Sequence, residues 1–269
     1  MVFQGRVLPV VNKQTVIIAV LNQKGGVGKT TTTINLAAYL GRQKRKVLVV
    51  DADPQGNATS GLGIEKTELT QTLCDVLLSN VDLNKVLLKT DFENIDLVPT
   101  DARLASVEVD LAQTANREAA LKTALASAQK YDYILIDCPP SLGLLTINAL
   151  TAANQVLIPV QSEYYALEGL SQLLQVMQQV QRGYNPELEL LGVIMTMYDK
   201  RTSLSEQVYN EVKKHFGDKL MTTVVPRNVR LAEAPSHGKP IAEYDRWSKG
   251  ARAYKNLAKE IDDRVRGAN

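Results

Sequence analysis

The sequence predicts an α/β protein built on a doubly wound, mostly parallel sheet flanked by helices. Apolar runs and helical patterns alternate along almost the whole chain, as repeated β-α units do. Several strand candidates are continuously apolar and β-branched, as strands covered on both faces must be. A glycine-rich turn separates the first such run, Val16-Ile17-Ile18-Ala19-Val20-Leu21, from the first helical pattern. In open α/β sheets, ligands bind at the carboxyl ends of strands, where this turn falls.

The elements follow in order. After the strand at 16–21, apolar residues at Ile34, Leu36, Ala37, Ala38 and Leu40 give 30–43 a helical spacing. Strands are expected at 46–50 and 95–98, a helix at 117–130 and a central strand at 133–136. Helices at 144–153, 167–182, 202–216 and 250–266 alternate with strands at 155–160, 190–197 and 221–225. There is no internal repeat, low-complexity tract or long linker. The expected organisation is one domain over 16–269, preceded by a short extension, 1–15.

Composition narrows the class. At 269 residues and 45% hydrophobic content the chain can bury one sizeable core. The two cysteines, Cys74 and Cys138, are too few for a disulfide framework and read as small buried residues of a reduced, intracellular protein. No run approaches the ~18 apolar residues of a membrane span, and the N-terminus lacks the pattern of a secretory signal. Net charge is only +2. Residues 1–198 hold 16 Lys/Arg against 19 Asp/Glu, whereas 199–269 hold 15 against 10. The last quarter therefore has the excess for a basic surface facing a polyanion, although an ordinary solvated surface would give the same count.

The strongest chemical signal is Lys24-Gly25-Gly26-Val27-Gly28-Lys29-Thr30-Thr31, between strand and helix. Glycines let the backbone curl around phosphate oxygens, and successive N–H groups at a helix N-terminus favour an anion. Lys29 is the cation for the β- and γ-phosphates, and the Thr30 hydroxyl is placed for Mg2+. The whole run from Lys24 to Thr31 is the candidate nucleotide contact. The usual phosphate-loop spacing needs glycine at position 23, where Gln23 stands. A dinucleotide turn fits worse, since Thr31 occupies its third small position.

Two acidic segments complete the site. Asp51-Ala52-Asp53-Pro54-Gln55-Gly56-Asn57 follows the second buried strand, with Pro54 and Gly56 marking a turn. Asp51 fits a place on the groove floor near the metal shell. Asp137 ends the apolar strand Ile134-Leu135-Ile136, where a carboxylate can hold Mg2+ directly or through water. Thr30, Asp53 and Asp137 are the candidate metal residues. No Asn-Lys-x-Asp pattern for guanine is present, which favours ATP over GTP. His215 and His237 lack partners at metal spacing. Met195 and Met197 read as core, and Trp247 as a packing anchor rather than a platform for bases.

The run Lys-Gly-Gly-x-Gly-Lys-Thr resembles the deviant Walker A loop of the ParA/MinD family. From about residue 16 to 259 the chain resembles Soj-type ParA proteins within it. The resemblance is carried by residues 22–30, by Asp53-Pro54-Gln55-Gly56-Asn57-Ala58-Thr59-Ser60 and by Asp137-Cys138-Pro139-Pro140-Ser141-Leu142-Gly143. Glu163-Tyr164-Tyr165-Ala166-Leu167-Glu168-Gly169 and Pro226-Arg227-Asn228-Val229-Arg230-Leu231-Ala232-Glu233-Ala234-Pro235 add to it.

The resemblance implies a P-loop ATPase whose ATP-bound form is a sandwich homodimer. Lys24 would reach the partner copy's nucleotide, and Asp53 would orient the attacking water. Adenine contacts map to Met195-Thr196-Met197 and Pro226-Arg227-Asn228. The dimer would bind double-stranded DNA without sequence preference through Arg201 and Arg230, with Lys249, Arg252 and Lys255 as further candidates. A ParB-type centromere-binding protein would stimulate hydrolysis, and the location would be the cytoplasm at the nucleoid. The rival readings are a positioning ATPase for a protein cargo, a MinD-like membrane-surface regulator and a P-loop metabolic ligase. Asp262-Asp263 and the Gly-Ala-Asn end disfavour a membrane-binding terminal helix.

Overall fold

The structure is a computed structural model, and it describes residues 14–163 and 168–267. Seven strands form one sheet: β1 Val16–Val20, β2 Val47–Asp51, β3 Leu88–Lys89, β4 Ile95–Val98, β5 Tyr133–Asp137, β6 Gln155–Gln161 and β7 Glu189–Thr196. Their order is β3-β4-β2-β5-β1-β6-β7. All pairings are parallel except that of the two-residue edge strand β3 with β4. β1 crosses over to β2 on one side and its neighbour β5 to β6 on the other, so the topology switches between β1 and β5, and the glycine-rich turn leaves the carboxyl end of β1.

The continuous apolar strands are continuous because both faces are covered. Ala19, Leu48, Val50, Ile134 and Ile136 enter one core. Their neighbours Ile18, Val20, Val47, Val49 and Leu135 enter the other. The second core is closed by the helices Lys29–Arg42 and Lys249–Arg266, joined at the buried pair Thr32 Oγ1–Tyr254 Oη, 3.1 Å. Cys74 and Cys138 are buried and unpaired, as expected.

The first helix ends where Gly41 meets the turn before β4. A Cβ on Gly41 would lie 2.3 Å from the Glu93 carbonyl oxygen, which is backbone and cannot swing aside. Alanine would gain about 1 kcal/mol of helix propensity. Overpacking costs about 1–3 kcal/mol, more where backbone must move. Gly41→Ala is therefore expected to destabilise the protein by about 1–2 kcal/mol, read as a lower urea midpoint at unchanged slope.

Three expectations need correction. Residues 221–225 do not form a strand. Met221 N and Val225 N donate to the Val193 and Met195 carbonyls of β7 at 2.8 Å each, but between them the Glu260 carboxylate takes the N–H groups of Thr222 and Thr223 at 2.7 and 2.9 Å. The side chain thus replaces the ladder. The helix expected at 117–130 is a 3-10 turn, Arg117–Ala119, followed by a short helix, Ala120–Leu125. Asn148 holds that junction, accepting from Leu121 N at 3.1 Å and donating to the Arg117 carbonyl at 2.7 Å. Trp247 is not a packing anchor: it is 79% exposed. Most of the segment 163–169 lies outside the described residues, as do residues 1–13 of the N-terminal extension.

Candidate functional site

Gly26 and Gly28 have φ of 75° and 90°, a left-handed backbone that only glycine adopts freely. This curls the loop over the start of helix Lys29–Arg42, whose N-cap Gly28 gives no side-chain cap. The first-turn N–H groups are thus left for an anion. A Cβ on Gly25 or Gly26 would meet no atom within 4 Å, so the loop's outer face is open. Three hydrogen bonds brace the loop from below. Asn22 donates to the Pro159 carbonyl at 2.7 Å and accepts from Lys24 N at 3.0 Å. Thr196, at the end of β7, donates to the Val27 carbonyl at 2.8 Å.

Lys29 is 7% exposed, with Nζ 3.4 Å from the Lys24 carbonyl. Burial depresses its pKa, and the Asp137 and Asp53 carboxylates oppose that shift without cancelling it. Asp137 ends β5 in register with Asp51 at the end of β2, and both are fully buried. Asp137 accepts from Thr30 Oγ1 at 2.7 Å and Thr33 Oγ1 at 3.2 Å. Asp51 accepts from Thr59 N and Oγ1, each at 2.7 Å. Burial raises both carboxyl pKa values well above the usual range, and at Asp137 the Asp51 charge adds to the effect. Two carboxyls pressed together out of water favour a cation between or above them.

Asp53 is 7% exposed and stands at the turn after β2. Its Oδ1 accepts from Gln55 N at 3.0 Å, and its carbonyl accepts from Gly56 N at 2.8 Å. Lys66 closes the turn by donating to the Gln55 carbonyl at 2.8 Å. Lys24 lies outside this group, at the surface. Its Nζ is 2.5 Å from Glu163 Oε2, and Gln161 donates to the other oxygen of the same carboxylate.

The residues assigned to the base also converge. Tyr198 N donates to the Val225 carbonyl at 3.0 Å and Arg227 N to the Tyr198 carbonyl at 3.3 Å, which draws Met197 and Pro226-Arg227-Asn228 to one edge. Met195 is core, but Met197 is only half-buried, with φ of 50°. That left-handed conformation is uncommon for a side chain of this size, and such strain gathers at ligand sites. Asn228 caps the helix Val229–Glu233 through Arg230 N, at 2.8 Å. Arg201 and Arg230 are exposed and ion-paired, Arg201 with Asp199 at 2.8 Å and Arg230 with Glu233 and Asp245 at 2.9 and 3.5 Å. His215 and His237 hold a helix carbonyl and the Tyr244 ring respectively.

Among the described residues, no group of three or more His, Cys, Asp or Glu could hold a metal alone. This suits Mg2+, which takes one or two protein oxygens and the rest from phosphates and water. The chemistry of Thr30, Asp137 and the glycine cradle fits a magnesium-bound triphosphate. Sequence reasoning assigned no role to Thr33, Thr59 or Glu163, and gave the Thr196 segment to the base, whereas its hydroxyl braces the phosphate loop. The run Thr30-Thr31-Thr32-Thr33 was the available signal, because four β-branched residues at a helix start oppose helix propensity.

A glycine cradle at the switch point, a buried lysine under it and an acid at the neighbouring strand tip define a P-loop nucleotide-binding protein. A family model described as an AAA domain matches residues 15–190. The chain is 58% identical over 246 residues to the sporulation initiation inhibitor protein Soj of Bacillus subtilis, covering 91% of this chain and 97% of that one. It is 50% identical over 253 residues to the chromosome partitioning protein ParA of Caulobacter vibrioides, covering 93% and 95%. Among solved structures it is similar to a cobyrinic acid a,c-diamide synthase from Mycobacterium smegmatis with bound ADP and magnesium. That match has TM-score 0.84 and 39% identity, and covers 95% and 97% of the two chains. The chain belongs to the ParA/Soj family.

Proposed function

We propose that this protein is an ATP-dependent partitioning ATPase, a single domain over residues 16–269, that dimerises on ATP and then binds DNA without sequence preference. The observation that carries the reading is the pairing of a buried lysine, Lys29, with a second loop lysine, Lys24, directed away from its own phosphate cradle toward the surface. The loop from Gly25 to Thr31 holds the phosphates, and Met197 with Pro226-Arg227-Asn228 lines the adenine edge. Thr30 and Asp137 hold Mg2+, with Asp53 beside them. The ion supplies charge neutralisation on the β- and γ-phosphates when bound.

Lys29 stabilises charge developing on the transferred phosphoryl group. Asp53, on the turn closed by Gly56, orients the water. Lys24 exchanges Glu163 for the partner copy's nucleotide. Hydrolysis, accelerated by a ParB-type partner, dissolves the dimer and releases DNA. Loss of the γ-phosphate contacts is the common trigger in such switches.

The last helix supports the choice of DNA over a lipid surface. Its apolar side, from Ala251 through Tyr254 and Leu257 to Ile261, is buried in the core, leaving no free apolar face for a bilayer. Among the described residues no helix is long and apolar enough to cross a membrane. The test is DNA retention by the purified protein with ATP, with ADP and without nucleotide. Retention is expected only with ATP, falling steeply with salt. Arg230→Ala is expected to weaken it about ten-fold, roughly equally on all sequences. Binding to anionic vesicles without binding to DNA would overturn the reading.

A further inference from the structure

Trp247 is the only tryptophan in the chain and stands 79% exposed. The backbone at this position is nevertheless held. Its backbone N–H donates to Asp245 Oδ1 at 3.2 Å, the next residue, Ser248, caps the last helix through Ala251 N at 3.1 Å, and the Arg246 guanidinium carbon lies 4.9 Å from the ring centroid. Asp245 also pairs with Arg230 at 3.5 Å, so one carboxylate joins the Trp247 backbone to that arginine.

The helix that starts after Trp247 carries Lys249 and Arg252 into an open groove of about 780 Å³, whose other walls include Lys200, Arg201, Arg227 and Val229. Val229 is itself 70% exposed. Lys200, Arg227, Arg246, Lys249 and Arg252 make no ion pair among the described residues, whereas Asp199 is the only acid in the groove wall and is already taken by Arg201. A water-exposed indole, one residue from a helix that carries cations free of ion pairs, is complementary to a polyanion that also offers apolar patches, as the deoxyriboses of a duplex do. Duplex DNA has both.

We propose that Trp247 is a DNA contact, its ring packing on deoxyribose and base edges in a minor groove while the surrounding lysines and arginines take phosphates. This rests on the DNA-binding reading above and adds to it a contact that salt does not screen. Contacts of this kind act without sequence preference, since every nucleotide presents the same sugar.

The lone tryptophan is its own reporter. Wild-type protein with magnesium and a slowly hydrolysed ATP analogue is titrated with a short mixed-sequence duplex while indole emission and iodide quenching are followed. Emission is expected to change, and iodide access to fall, in step with DNA binding. Trp247→Ala is expected to bind the duplex about ten-fold more weakly with an unchanged slope of affinity against salt, and Trp247→Phe to recover most of the loss. Both variants should hydrolyse ATP at the wild-type rate without DNA. DNA binding that leaves the indole's emission and iodide access untouched would overturn this inference and leave the DNA-binding reading standing. An emission change already complete with nucleotide alone would assign Trp247 to the contact between copies instead. Absence of any nucleotide-dependent DNA binding would remove both.

Discussion

Lys29→Ala is expected to reduce ATP hydrolysis at least several hundred-fold without harming the fold. Removing one preorganised group from developing charge costs about 10²–10³ in rate, and cations on transferred phosphoryl groups reach about 10³–10⁵. Most catalytic lysine substitutions leave doubt about folding, but here the electrostatics give a separate readout. Burial lowers the Lys29 pKa even though Asp137 and Asp53 pull the other way. The buried ammonium is therefore under-compensated by its neighbours, and deleting it should leave the melting temperature of the nucleotide-free protein unchanged or raised. Ligand linkage supplies the contrast: Mg-ATP at a hundred times its dissociation constant stabilises a binding-competent protein by about 2.7 kcal/mol. The wild type should show that shift in a thermal melt and the variant should not. Hydrolysis by the variant at near wild-type rate would remove Lys29 from the chemistry.

The sheet centre was legible because strands covered on both faces leave no alternation to misread. β1, β2, β5 and β6 were found within a residue or so of their ends, and the phosphate loop with them. What sequence patterns missed were elements set by distant side chains. The Glu260 carboxylate ends the ladder at Thr222 and Thr223, and Asn148 breaks the helix near Arg117, yet neither partner is near in sequence. The short helices Leu73–Ser79 and Leu104–Leu111 span too few turns to show a period. In the site, residue types announced Lys29, Thr30 and Asp137, but not Glu163, whose pairing with Lys24 joins two loops 139 residues apart. Trp247 was misjudged because a lone large aromatic is usually buried, and exposure is decided by the path of the chain around it.

The same Lys24–Glu163 pair sets the expected behaviour of the dimer. Asp53→Ala, which removes the group assigned to the water, should accumulate an ATP-dependent dimer measurable by light scattering or sedimentation. Adding Lys24→Ala should weaken that dimer by about a hundred-fold or more, leaving monomer at micromolar protein. The two environments of Lys24 explain the asymmetry. In the single chain its side chain and that of Glu163 are 43% and 44% exposed, and a pair of this kind contributes about 0–1 kcal/mol. Monomer stability should then move by no more than about 0.5 kcal/mol. Against a triphosphate in the proposed seam the same ammonium would be desolvated, and truncating a partner in such a contact costs about 2–5 kcal/mol. Because the resting pair is weak, Lys24 can leave it at little expense, so Glu163→Gln should leave dimerisation intact or modestly strengthened. A double variant, Lys24→Ala with Asp53→Ala, that stayed dimeric with ATP would show that the seam is closed by other groups and that Lys24 serves only its own loop.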